Sequence, residues 1–141
     1  MEKAFREIRL VHFAFLWSWL LLLLVFKLIS PVHSSLPPYF PAVLGLVSVA
    51  DTMLGFVRRR YYFSAAMELL RSEPESRAGL AKWRVANIVS FAFAQTVTLF
   101  GFVLKFLGWS WSIAGIFFGV GLLLLLLWTP RRIQVLPPGV R

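Results

Sequence analysis

Four apolar stretches, each close to the ~20 residues a helix needs to cross a bilayer, decide what this chain can become. They run from about Leu10 to Ile29, Tyr39 to Val57, Val85 to Leu107 and Trp109 to Trp128. Their ends are marked by Ser30-Pro31, Pro37-Pro38, Arg58-Arg59-Arg60, Gly108 and Thr129-Pro130. A bilayer core offers no water to an open backbone, so runs of this kind are continuous helices. The expected fold is all-α: a polytopic membrane protein with four transmembrane helices in a single domain over 1–141. Composition agrees, because 59% of the residues are hydrophobic and 15% charged, whereas soluble domains hold about 45–50% and about 25%. The first run follows a basic start like that of a signal peptide. Its length, and the lack of a small-x-small site before Pro31, make it a retained anchor.

The formal net charge is +9, and the positions of the charges give it a meaning. Of the 15 basic residues, all but Lys27 and Lys105 lie in the N-terminal segment, in the 58–84 connection or in the tail with Arg131 and Arg132. Under the positive-inside rule both termini and the connection are cytoplasmic, in a plasma or inner membrane. Lys27 and Lys105 sit at the opposite helix ends, where their stems reach the headgroups. The charge is therefore a topology signal with affinity for anionic lipid, strongest at Arg58, Arg59, Arg60, Arg131 and Arg132, and no nucleic-acid partner is expected. Tyr39, Trp83, Trp109, Trp111 and Trp128 fall near span boundaries and read as interfacial anchors. The leucine runs at 20–24 and 122–127 read as lipid-facing.

The connection 58–84 reads as helical. Residues 61–71 favour helix and either prolong the second span or lie along the interface. Ser72, with Pro74 and Glu75 following, has the pattern of a capping box that opens a helix running through Lys82 into the third span.

An acid inside a span is expensive, about 2.5–3.5 kcal/mol on insertion scales, and normally faces other helices. Asp51 is such a residue, about 10 Å before Arg58 at 1.5 Å per residue. Helical spacing groups it with Gly45, Ser48, Thr52, Gly55 and Arg58 on one small and polar face. The third span carries Asn87, Ser90, Ala94, Thr98 and Gly101 at steps of three and four, flanked by Gln95. Counted from Arg58 and Arg84, Asp51 falls level with Ser90. The expected arrangement is an antiparallel hairpin in which Asp51 hydrogen-bonds Ser90 or Asn87, with Arg58 and His12 as other candidate partners. The fourth span offers Ser112, Gly115 and Gly119, the glycines forming a GxxxG pair for close helix contact. His12 reads as a headgroup-level side chain and His33 as a solvated loop residue.

Nothing here points to an enzyme. Without cysteine, and with two histidines and six acids, thiolate chemistry is excluded and metal or cofactor binding is not expected. A Gly-rich phosphate loop, HExxH, and a nucleophile with base and orienter are all missing.

The segment Phe93-Ala94-Gln95-Thr96-Val97-Thr98-Leu99-Phe100-Gly101-Phe102-Val103-Leu104 resembles the ion-carrying helix of rotary ATPase proteolipids (subunit c). That family has a membrane-embedded Glu followed five and six residues later by Tyr-Gly, and Gln95, Phe100 and Gly101 stand at those positions. The resemblance implies a hairpin whose ion-carrying helix rises from a cytoplasmic loop. Gln95 replaces the acid and cannot titrate, and Asp51 is the carboxylate on the neighbouring helix.

Two functions follow as expectations. The first is a non-enzymatic accessory or scaffolding subunit, surrounded by membrane lipids, that packs against other membrane protein subunits or copies of itself. The alternative is a proton- or ion-conducting or transport subunit, a proteolipid-like or holin-like oligomer using Asp51 and Gln95. The topology is directly testable because the chain has no cysteine. In intact cells a membrane-impermeant maleimide is expected to label a cysteine placed at Ser35 and to leave one placed at Ser64 unlabelled until the cells are permeabilised. The reverse pattern would invert the orientation.

Overall fold

The computed structural model describes residues 2–28, 32, 36–73 and 75–130 and shows four helices: α1 (Glu2–Leu28), α2 (Phe40–Ser72), α3 (Arg77–Phe106) and α4 (Trp111–Leu127). Three of them, α1, α2 and α3, are long and apolar enough to cross a membrane, and α4 is a shorter apolar helix. At 1.5 Å per residue the 17 residues of α4 span about 25 Å, just under a hydrocarbon core of about 30 Å. Ile29, His33, Pro74, Arg131 and Arg132 lie outside the described residues.

Helix α3 is the centre. It packs against all three other helices, and α1 also touches α4. The Glu7–Arg84 ion pair at one end and the Phe26–Phe102 ring contact at the other make α1 parallel to α3. Phe26 against Trp111 and His12 against Leu125 make α4 antiparallel to α1. Accordingly Ala94, Val97, Thr98, Gly101 and Leu104 of α3 are buried, while Val85, Leu99 and Val103 on its back remain exposed.

The helices extend beyond the apolar runs. α1 starts eight residues before Leu10, with Ala4 and Ile8 buried. α2 continues unbroken through Arg58-Arg59-Arg60 to Ser72, because residues 61–71 hold good helix formers and no Gly or Pro. With Ala66, Leu70 and Trp83 these positions build a small apolar core at the basic end of the bundle. The capping box expected at Ser72 is corrected. Ser72 ends α2, its hydroxyl turning back to Leu69 O at 2.9 Å, and Ser76 is the N-cap of α3, accepting from Gly79 N at 3.4 Å.

The break between α3 and α4 is where the sequence placed it. Gly108 has φ +88°, the left-handed region that glycine enters without strain. Gly108 N bonds Lys105 O at 2.9 Å and Trp109 N bonds Leu104 O at 3.1 Å, the paired bonds of a Schellman C-cap. Val32 N reaches Phe106 O at 2.8 Å and satisfies another terminal carbonyl of α3.

The anchor reading fails for two tryptophans. Trp83 and Trp128 are each 2% exposed: Trp83 belongs to the apolar core built where the helices extend past their apolar runs, and Trp128 packs against Gly55, Phe56 and Arg59 of α2. Of the leucine runs, Leu124 and Leu125 face inward and the rest are partly or fully exposed.

Glycines hold α3 and α4 together. A Cβ at Gly121 would run into Thr98 Oγ1 and stand 3.0 Å from Ala94 O, and one at Gly101 would stand 2.9 Å from Ala114 O. Gly121→Val is therefore expected to destabilise the protein by about 1–3 kcal/mol through overpacking. Gly45→Ala, where an added Cβ meets nothing within 4 Å, is expected to be neutral or to stabilise by up to ~1 kcal/mol through helix propensity. Thermal unfolding of both variants in one detergent measures the contrast.

Candidate intramembrane polar and packing sites

The α2–α3 hairpin sets the depth of every polar residue on α2. Leu70 lies against Gly79, where an added Cβ would come within 2.9 Å of Leu70 Cγ, and Gly55 lies against Phe93, where it would come within 3.1 Å of Phe93 Cβ. Both contacts fix the same antiparallel register, and it places Asp51 level with Val97 and Thr98. The expected alignment with Ser90 is off by about two turns, or about 10 Å. Arg58 and Arg84 are not level, because the hairpin closes at Ser72 and Arg77 and α2 carries its arginines closer to the middle of α3.

The polar clamp expected at Asp51 is not formed. Asp51 Oδ2 is buried and has no hydrogen-bond partner among the described residues. Asn87 Nδ2 donates to Trp83 O at 2.8 Å, Ser90 Oγ to Ala86 O at 2.7 Å and Thr98 Oγ1 to Ala94 O at 3.2 Å. Ser48 Oγ likewise donates to Leu44 O at 2.8 Å. Each of these groups finds a carbonyl one turn back in its own helix, which is always within reach, and that bond uses the single donor of each hydroxyl. Gln95 is turned the other way: its Nε2 meets Ser18 Oγ on α1 at 3.3 Å, while Oε1 is buried without a partner among the described residues. Asp51 and Gln95 lie at similar depth but in different interfaces of α3, so one copy of the chain does not bring them into a single site.

Real polar ties run from α1 to α4. His12, 6% exposed, donates through Nε2 to Leu125 O at 2.9 Å, and its ring lies 4.9 Å from that of Phe91. Leu125 is in the last turn of α4, whose terminal carbonyls lack intrahelical partners, so His12 acts as a side-chain cap from a neighbouring helix. Two turns on, Trp19 Nε1 donates to Phe118 O at 3.1 Å. The Glu7–Arg84 ion pair, 2.7 Å and about two-fifths exposed on both sides, adds only ~0–1 kcal/mol. The expectation of a headgroup-level His12 missed this role. The available signal was the stripe Ala4, Ile8, His12, Phe15, Trp19 and Phe26 at helical steps.

The small residues divide into two sets. Gly55 and Gly101 are buried against Phe93 and Ala114, as is Gly121 against Thr98. Gly45, Gly115 and Gly119 have nothing within 4 Å of an added Cβ, and Ser112 is exposed beside them. Gly45 is thus corrected as an α2–α3 contact. It lines an open groove of about 560 Å³ between α2 and α4, floored by Val97. At the basic end, Trp128 ties α4 to α2: its ring centroid is 5.1 Å from that of Phe56, and the Arg59 guanidinium lies 5.9 Å above it. Arg58 and Arg60 are exposed.

No family model, curated protein or solved structure matches the chain. Its residues must carry the functional argument alone. Among the described residues no cluster of three or more His or acidic side chains is placed to hold a metal ion.

A buried carboxylate oxygen with no partner among the described residues is a cost that the fold carries, since an acid in a span costs about 2.5–3.5 kcal/mol. Asp51→Asn is expected to raise stability, by about 1 kcal/mol or more, in thermal unfolding at neutral pH. A fall would show that the carboxylate is satisfied in the folded protein.

Proposed function

We propose that the chain is a non-enzymatic membrane protein of four spans with both termini cytoplasmic, acting as an accessory or scaffolding subunit. A transmembrane helix of another subunit docks on the outer face of α4. The observation that carries this reading is the open space at Gly115 and Gly119 beside exposed Ser112. Without a hydrophobic gain between helices in lipid, small residues matter because they let backbones come close. Gly101 and Gly121 serve that purpose inside the chain, whereas no described residue lies against the Gly115–Gly119 pair. The topology part of the proposal is supported by the Glu7–Arg84 pair, which sets the basic N-terminal segment beside the basic connection.

The unpartnered oxygens of Asp51 and Gln95 favour a second reading, an ion-conducting oligomer in line with the proteolipid resemblance. It requires that neighbouring copies complete the site. That reading demands changed ion flux for Asp51→Asn in reconstituted vesicles.

The scaffold reading is tested by native pull-down in mild detergent with mass spectrometry. The wild-type chain is expected to recover a larger membrane complex, and Gly115→Leu/Gly119→Leu to lose it while keeping the wild-type melting temperature. Recovery of a lone monomer from the wild type would overturn the proposal.

A further inference from the structure

The groove between α2 and α4 has one basic end and one apolar body. Along α2 its lining runs from Gly45 through Ser48 and Thr52 to Phe56, with Ile116 and Val120 opposite on α4. Gly45 to Phe56 is about 16 Å of helix, about half of a hydrocarbon core. The two hydroxyl residues do not make it polar: Ser48 is bonded to Leu44 O, and apart from Thr52 the lining residues are apolar side chains and Gly45. Beyond Phe56 the same α2 face continues one turn on to Arg60, which is exposed, while Arg59 lies over Trp128 at the end of α4. Trp128 is 2% exposed and its Nε1 has no hydrogen-bond partner among the described residues.

We infer that this groove binds an anionic phospholipid of the cytoplasmic leaflet, one acyl chain lying between α2 and α4 and the phosphate held at Arg60 and Arg59. An apolar slot with cationic groups at one end matches the two parts of such a lipid, tail and negative headgroup, and it matches neither a polar solute nor a neutral one. The Phe56–Trp128 ring pair flanks the slot where tail gives way to headgroup, the depth at which aromatic rings are favoured. This site is distinct from the outer face of α4 at Gly115 and Gly119, and its failure leaves the subunit proposal untouched.

The test uses the full-length chain in zwitterionic detergent, titrated with phosphatidylglycerol or phosphatidylcholine, with bound lipids counted by native mass spectrometry. The wild type is expected to take up phosphatidylglycerol in preference, and glycerol phosphate without acyl chains is not expected to displace it. Since an arginine near the membrane surface contributes about 1 kcal/mol, Arg60→Gln lowers phosphatidylglycerol binding about fivefold and leaves phosphatidylcholine unchanged. Gly45→Phe fills the slot and weakens both lipids. It points into open space, so its melting temperature stays that of the wild type. Arg71→Gln, away from the groove, changes neither.

Equal uptake of the two lipids by the wild type would overturn the inference. So would an effect of Arg71→Gln as large as that of Arg60→Gln, which would mark diffuse surface attraction. Copy-to-copy disulfide formation through a cysteine placed at Val49, in a chain that has none of its own, would assign the groove to a second copy.

Discussion

Close approach of α3 to α4 is the constraint on which the other contacts depend. Lipid tails are as apolar as leucine, so two helices in a bilayer gain little by burying leucines against each other. They gain dispersion contact and backbone proximity, and both require small residues at the crossing. Gly121 over Thr98 and Ala94, and Gly101 against Ala114 and Phe117, supply that. With this pair fixed, α1 can reach α4 carbonyls through His12 and Trp19, and α2 can close on Phe93 through Gly55.

A different force acts at the basic end. There α1, α2 and α3 extend past their apolar runs, and Ala4, Ile8, Ala66, Leu70 and Trp83 form a buried apolar layer. If this layer is flanked by water, as the density of charge around it implies, it is stabilised by ordinary hydrophobic burial of about 25 cal/mol per Å². The turn between Ser72 and Arg77 and the Leu70–Gly79 contact then fix the register of the whole hairpin. A local contact at one end thereby determines how deep Asp51 sits about 30 Å away along α2.

This is also why the spans were legible in the sequence and the register was not. Apolar length and Gly108 are local signals, and they marked the four helices and the break between α3 and α4; the arginines at 58–60 did not end their helix. Depth along a hairpin depends on where the hairpin turns. The natural marker, the level of the arginines, assumed that Arg58 and Arg84 share a plane, whereas α2 runs 14 residues past Arg58 before it stops. The hydroxyls of Ser48, Ser90 and Thr98 were legible as polar, but a helical Ser or Thr can always serve its own i−4 carbonyl, so polarity did not identify partners. His12 reads from the sequence as a headgroup-level side chain because its acceptor, like that of Trp19, is an α4 backbone carbonyl, which no acceptor side chain advertises.

The same reasoning separates residues that make the fold from residues that remain for function. Glycine lowers helix propensity by about 1 kcal/mol relative to alanine, so a glycine in a span needs a contact to offset it. Gly55, Gly79, Gly101 and Gly121 have that contact within the chain. Gly45, Gly115 and Gly119 have no such contact among the described residues, which leaves room for something else to lie against them. The three do not form one surface, since Gly45 opens into the α2–α4 groove, whereas Gly115 and Gly119 are not part of its lining. The proposed lipid and subunit contacts would each cover one of these two surfaces. A flexible acyl chain suits a narrow slot with an arginine at its mouth, and a rigid helix suits a flat face with a GxxxG pair.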